Sequence, residues 1–327
     1  MRGLRCLLAA LAVTTVSAAL PAHSSAALPM LPALAQTPWQ GEDLPAPTMR
    51  NGSEIYARFR TGLADPQCDA SATSERWKRQ FRHASARLAD PDDNLLPLFG
   101  YVVDQLHQAG LPTEFALIPF VESGYRPDAR SKAGPAGLWQ FIASTARNHK
   151  IPMSAGMDGR LSASESTTAA VRYLKTLHGM FGGRWELAVM GYNAGEYRIL
   201  QAMRRSGLNA SNASPDALSG LSPITYSYVQ KLHALTCVLQ DAADNGNLLA
   251  QIDRPVPMLD SYQLPAGSSL QQWASERSLD HGKLVRINPL ARSSTRAPRA
   301  LGLLAPVHAD LPRLASATTS TPSSAAV

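Results

Sequence analysis

The chain has 327 residues, a net charge of +6, 45% hydrophobic and 6% aromatic residues. That length accommodates one substantial core plus a small second module. The basic residues are dispersed, which argues against a nucleic-acid partner. The net charge fits an anionic partner and equally a surface kept basic for solubility. The eight histidines are scattered, none at metal-ligand spacing, so neither a metal nor another cofactor is expected.

Residues 1–26 read as a secretory signal peptide: Arg2 and Arg5, an apolar run from Leu7 to Val13, then small residues through Ala26. Cleavage after Ala18 or after Ala26 fits equally. Removing the segment takes away two arginines and no acids, so the charge falls from +6 to +4. The apolar run is too short to span a bilayer. The expected location is the periplasm or cell envelope. Cys6 leaves with the signal. Cys68 and Cys237 could pair after export or stay as buried thiols.

Residues 27–50, rich in Pro and Ala, read as a flexible linker. A helical lead-in is expected over 51–95, anchored by Trp77, Phe81 and Leu88 and broken at Pro91-Asp92-Asp93. Leu98, Phe99, Val102, Val103 and Leu106 mark one apolar helix face, closed by Gly110 and Pro112. Thr113 is the candidate N-cap of a second helix through Val121, kinked at Pro119 and ending at Glu122. A glycine-rich loop with a short helix follows at 131–147, then a helix over 166–181 stopped by Gly182-Gly183. Trp185 to Met190 is nearly all apolar, as in a buried helix. Residues 206–222 read as a loop and 223–240 as a last helix. No alternating pattern predicts a large sheet before 255, so the fold class is mainly α. Residues 308–327 read as a disordered tail.

Glu122 stands out because it follows an apolar run from Phe115 to Val121. Desolvation raises a carboxyl pKa, which keeps it protonated for general-acid work on a glycosidic oxygen. Four elements occur in order: Glu122-Ser123, then Ser131, Gly137-Leu138-Trp139-Gln140, and Tyr192-Asn193-Ala194-Gly195. Together they resemble the soluble-lytic-transglycosylase (SLT) catalytic domain, over roughly 96–240. The lead-in and the stretch Gly110 to Pro119 look most like the branch of the membrane-bound lytic murein transglycosylase D type.

The resemblance implies a lysozyme-like domain, drawn here as 96–250, acting on the glycan strands of peptidoglycan. The bond between N-acetylmuramic acid and N-acetylglucosamine would be cut without water. The muramoyl 6-hydroxyl attacks its own anomeric carbon and leaves a 1,6-anhydro end. Glu122 is then the single acid and base. Ser131 is implied near the acetamido group or an ordered water, and Gln140 at the sugar. Tyr192 is implied as the donor to the catalytic carboxyl, with Asn193 and Tyr228 lining the same cleft. Ser123 is assigned to local order, Trp139 to the core rather than sugar stacking, and Glu196 and Arg198 to a solvated helix start or a local pair. Asp158 and Glu165 read as helix-entry acids.

One departure stands in the last helix. The family often carries Glu-Thr-Arg or Glu-Thr-Lys before its Tyr-Val, whereas this chain has Ile224-Thr225-Tyr226. Without that glutamate, Tyr192 and Ser131 are expected to position Glu122.

A fainter likeness, from Tyr262 through Gly267, Leu270, Trp273 and Asn288, is to a degenerate LysM-like β-α-α-β module at 260–307, with Leu301 to Pro306 as its second strand. Such modules bind N-acetylglucosamine chains; a structural role is the alternative. The expected protein is a monomer, associated with the envelope or outer membrane. Two rivals are a hydrolytic muramidase, with Asp128 or Asp158 as its second carboxylate, and a non-catalytic wall-binding protein.

Overall fold

A computed structural model describes residues 48–68, 73–154, 157–292, 296–297 and 299–308. The expected signal, the linker up to residue 47, Cys6 and the tail from 309 lie outside these residues. The described chain is mainly helical, and its sheets are all two-stranded.

Strand β1 (Met49–Asn51) leads into helix α1 (Gly52–Thr61), whose first turn is capped by the Asn51 side chain accepting from the Ser53 amide at 2.8 Å. Helices α2 (Glu75–Phe81) and α3 (Ala84–Ala89) follow, and Trp77, Phe81 and Leu88 are buried as expected. Helix α4 (Leu95–Gln108) buries Leu98, Phe99, Val102, Val103 and Leu106. Each such side chain contributes about 1.5–3 kcal/mol through burial. Gly110, at φ +67°, reverses the chain after α4.

The next segment departs from the sequence expectation. Thr113 is no N-cap; its hydroxyl donates to the Phe59 carbonyl. Residues Thr113–Leu117 form a 3₁₀ turn, and helix α5 (Ile118–Glu122) starts only at its end. Pro119 therefore sits in the first turn of α5, where no helical N–H is required and no kink results.

Helix α6 (Ala143–Asn148) and the hairpin of β2 (Met153–Ser154) and β3 (Met157–Asp158) precede helix α7 (Ala163–Met180). Ser162 caps α7 by accepting from the Glu165 amide. Helix α8 (Trp185–Ala194) buries Trp185 and Leu187 through Gly191. Gly195, at φ +89°, separates it from α9 (Glu196–Arg205). Helix α10 (Pro223–Asp244) is the longest, capped by Ser222 with Pro223 in its first turn. It packs on α2, α3, α5, α8 and the 3₁₀ turn. Helix α11 (Leu248–Ile252) leads to β4 (Pro255–Pro257), which pairs with β1 and closes the helical domain.

Strand β5 (Leu259–Leu264), helices α12 (Leu270–Ser275) and α13 (His281–Ile287), and strand β6 (Leu301–Pro306) form a β-α-α-β unit. β5 and β6 pair antiparallel from Leu259–Pro306 to Leu264–Leu301. The unit has its own core around Tyr262, Trp273, Leu284 and Leu303. It rests on α4 and α7. Tyr101 and Ser261 hydroxyls meet at 3.2 Å, and the Asn94 side chain donates to the Lys283 carbonyl.

Cys68 and Cys237 form a disulfide, closing the choice the sequence left open. It ties the stretch after α1 to the middle of α10, across a sequence separation of 169. A cross-link over so long a loop restricts the unfolded chain. Replacing both cysteines with alanine should lower unfolding free energy by about 2–4 kcal/mol in denaturant titrations. The wild type should lose a similar amount on reduction, whereas equal stability in oxidised and reduced protein would contradict a structural role.

Candidate active site

Glu122 is the last residue of α5. Its neighbour Ser123 is buried, and the Ser123 hydroxyl reaches the carbonyls of Pro119 at 3.1 Å and Leu138 at 2.7 Å. That places Ser123 in local structure and pins the 137–140 turn against the end of α5. Gly137 adopts φ +81°, and a Cβ there would overlap the Arg160 carbonyl, so the turn requires glycine. Trp139 is fully buried and donates its indole N–H to Thr167 at 2.9 Å, a core role.

Arg160 fixes the same loop from below. It is 8% exposed, and its guanidinium donates to the Gly134 and Phe141 carbonyls, both at 2.9 Å. Asp158 neutralises it at 2.8 Å. Burial alone would raise the Asp158 pKa, but Arg160, with Arg130, holds it below the usual carboxylate range.

Glu122 lines a cavity of about 640 Å³ together with Gln140, Tyr192, Asn193 and Glu196. Gln140, at φ +50°, donates its amide nitrogen to the Ala129 carbonyl at 3.2 Å and the Gly137 carbonyl at 2.7 Å. Two acceptors fix the amide orientation and leave its oxygen for another partner. Asn193 accepts from the Thr225 hydroxyl at 3.2 Å, linking α8 to the first turn of α10.

The carboxyl of Glu122 is held by Tyr228, whose hydroxyl donates to Oε1 at 2.6 Å. The expectation that Tyr192 makes this bond does not hold. The Tyr192 ring packs among Trp139, Phe141 and Tyr173, and its hydroxyl donates to the Trp139 carbonyl at 2.7 Å. Ser131 does not position Glu122 either. It is exposed, does not line the cavity, and its hydroxyl accepts from the Ala133 amide within its own turn. Tyr228 thus takes the positioning role expected of those two residues.

Burial raises the pKa of Glu122 above the usual glutamate range; the Tyr228 hydrogen bond and the charge of Lys231 pull it partly back. Burial, with Glu122 nearby, pushes Tyr228 well above the usual tyrosine value, so it remains a donor throughout. No described residue donates to Oε2 of Glu122, which leaves that oxygen to exchange a proton with a bound molecule.

Sequence patterns missed Glu196. It lines the cavity with Glu122, and the Tyr173 hydroxyl donates to its Oε2 at 2.8 Å. Its place directly after the Asn-Ala-Gly turn was the available signal. Asp128 and Asp158 instead line a different cavity, where Asp128 lies 3.9 Å from Arg292. The unusual start of α10 has its own use. Ile224 is 64% exposed, while the Tyr226 hydroxyl donates to the Leu218 carbonyl at 2.9 Å and fastens the preceding loop.

A hydrogen bond to a charged group is worth about 1.5–3 kcal/mol. Tyr228→Phe should therefore lower turnover of any reaction that uses Glu122 by roughly 10- to 100-fold. Tyr192→Phe should lower it far less, because its hydroxyl serves a backbone carbonyl. Steady-state rates of both variants check this, and a reversed order would contradict the assignment.

Residues 104–214 match the family model described as Transglycosylase SLT domain. Membrane-bound lytic murein transglycosylase D of Escherichia coli is 30% identical over 237 residues, 72% of this chain and 51% of that protein. Peptidoglycan transglycosylase gp16 of Escherichia phage T7 is 36% identical over 83 residues, 25% of this chain and 6% of that protein. Among solved structures, lytic transglycosylase Slt of Pseudomonas aeruginosa aligns with 60% of this chain and 31% of its own, at 20% identity and a TM-score of 0.37. The chain spans about half the length of the Escherichia coli relative.

Proposed function

We propose, from the transglycosylase SLT domain that this chain carries over residues 104–214, that it is a peptidoglycan lytic transglycosylase. The observation that supports this best is the environment of Glu122: a half-buried, desolvated carboxyl on the wall of the cavity, with one oxygen held by Tyr228. Burial favours the protonated acid. Glu122 then delivers its proton to the glycosidic oxygen as the bond from the muramoyl anomeric carbon breaks. The muramoyl 6-hydroxyl attacks that carbon, and the Glu122 carboxylate takes the hydroxyl proton. The products are a free N-acetylglucosamine 4-hydroxyl and a 1,6-anhydro-muramoyl end, and Glu122 is protonated again. Gln140 and Asn193 bind the sugars beside it, and Ser131 lies outside the cavity lining.

The β-α-α-β unit fits a degenerate LysM-like module, supported by its element order and separate core. Its placement against α4 and α7 suits a rigid extension of the catalytic domain. The envelope is the location that such a substrate requires, with the chain acting as a monomer.

A second reading, hydrolysis, is favoured by one observation: Glu196 gives the cavity a second carboxylate. There Glu196 would take a proton from an attacking water. Mass spectrometry of digested sacculi separates the two. Lytic transglycosylation predicts muropeptides one water lighter, with anhydro ends, and loss of all release in Glu122→Gln. Reducing ends, abolished by Glu196→Gln, would overturn it in favour of hydrolysis. Undiminished release by Glu122→Gln would overturn both.

A further inference from the structure

A residue that serves first as acid and then as base needs two opposed influences. Burial supplies the first, by favouring the protonated form of Glu122. The second must stabilise the carboxylate once the proton has left. Tyr228 does this through its hydrogen bond. One turn further along α10 stands Lys231, half-buried, on the same side of the helix.

Lys231 is held in an unusual way for a cation. Its Nζ lies 4.7 Å from the centre of the Trp77 ring, on α2. Trp77 also carries the Arg76 guanidinium, 4.6 Å from its ring centre. Among the described residues Lys231 makes no ion pair. A carboxylate partner would cancel much of its field; an aromatic face fixes the ammonium and leaves its charge in force.

The other charged or titratable groups around Glu122 do not substitute for it. Tyr192 on α8 and Tyr228 on α10 are phenols whose ionisation is opposed by burial. Glu114, in the 3₁₀ turn before α5, is engaged by the Asp65 amide at 2.8 Å. Arg76 is exposed on α2, with its guanidinium over the Trp77 ring. On α9, Glu196 and Arg198 line the same cavity and carry opposite charges. Lys231 is the cation whose charge favours the ionised form of Glu122.

We propose that Lys231, anchored on the Trp77 ring, is a positioning residue for the reaction, stabilising the carboxylate stage of Glu122 so that it can act as base after acting as acid. This inference rests on the lytic transglycosylase reading of the same site. It makes Trp77 part of the site although that ring belongs to the lead-in before α4.

The experiment is the pH dependence of muropeptide release from sacculi by the full chain. Wild type, Lys231→Met, Lys231→Arg and Glu122→Gln are compared, with a thermal melt of each. The acid step needs protonated Glu122, so activity falls as pH rises through its pKa. Removing the Lys231 charge raises that pKa. Lys231→Met should therefore move the alkaline limb to higher pH and lower the maximal rate several-fold, with unchanged melting and unchanged anhydro ends. Lys231→Arg should restore the wild-type limb. An unshifted limb in Lys231→Met, or the same shift in Lys231→Arg, would overturn the role of Lys231. Neither result touches the assignment of Glu122, which stands or falls on Glu122→Gln and the product ends.

Discussion

The hydrogen bond from Tyr228 to Glu122 joins two parts of the chain that lie 106 residues apart. It exists because α10 runs through the helical domain and packs on the short helix that ends in Glu122. The acid is desolvated by that packing, and the same helix returns a donor to one of its oxygens. Both properties follow from one helix–helix contact. A carboxyl in water would be ionised at neutral pH, and a buried one with no donor would resist ionisation throughout. The contact between α5 and α10 sets Glu122 between those limits.

The rest of the domain serves that contact from two directions. On one side the 131–142 loop is held by polar groups: Arg160 on its carbonyls, Asp158 on Arg160, and Ser123 on the Leu138 carbonyl. These bonds place Gln140 at the cavity. On the other side, Cys68–Cys237 and Tyr226 fasten flanking segments to α10 at its middle and its start. Tyr226 donates to the Leu218 carbonyl and so serves the architecture of the start of α10, not the acid itself.

The sequence made the helices legible wherever a face was continuous. The α4 face and the buried α8 segment are read directly from their apolar residues, and Glu122 from the run before it. Three features were hidden because they depend on contacts across the chain. Whether Tyr192 or Tyr228 serves Glu122 is decided by the approach of α8 and α10, and both tyrosines sit in equally plausible helices. Ser131 follows its turn outward, which spacing from Glu122 does not encode. The 3₁₀ start at Thr113 depends on the Phe59 carbonyl, which captures the threonine hydroxyl. The second cavity carboxylate, Glu196, was masked by its place at a helix start, where acids are common for reasons of the dipole alone.

The account turns on Glu122 being a carboxyl whose protonated form is favoured by burial. Carboxyl-selective infrared difference spectra, recorded across pH for wild type against Glu122→Gln, isolate its titration directly. The predicted midpoint lies above the ordinary glutamate value of about 4.3. A midpoint at or below that value would mean that burial does not favour the proton on Glu122, and the acid role assigned to it would be wrong.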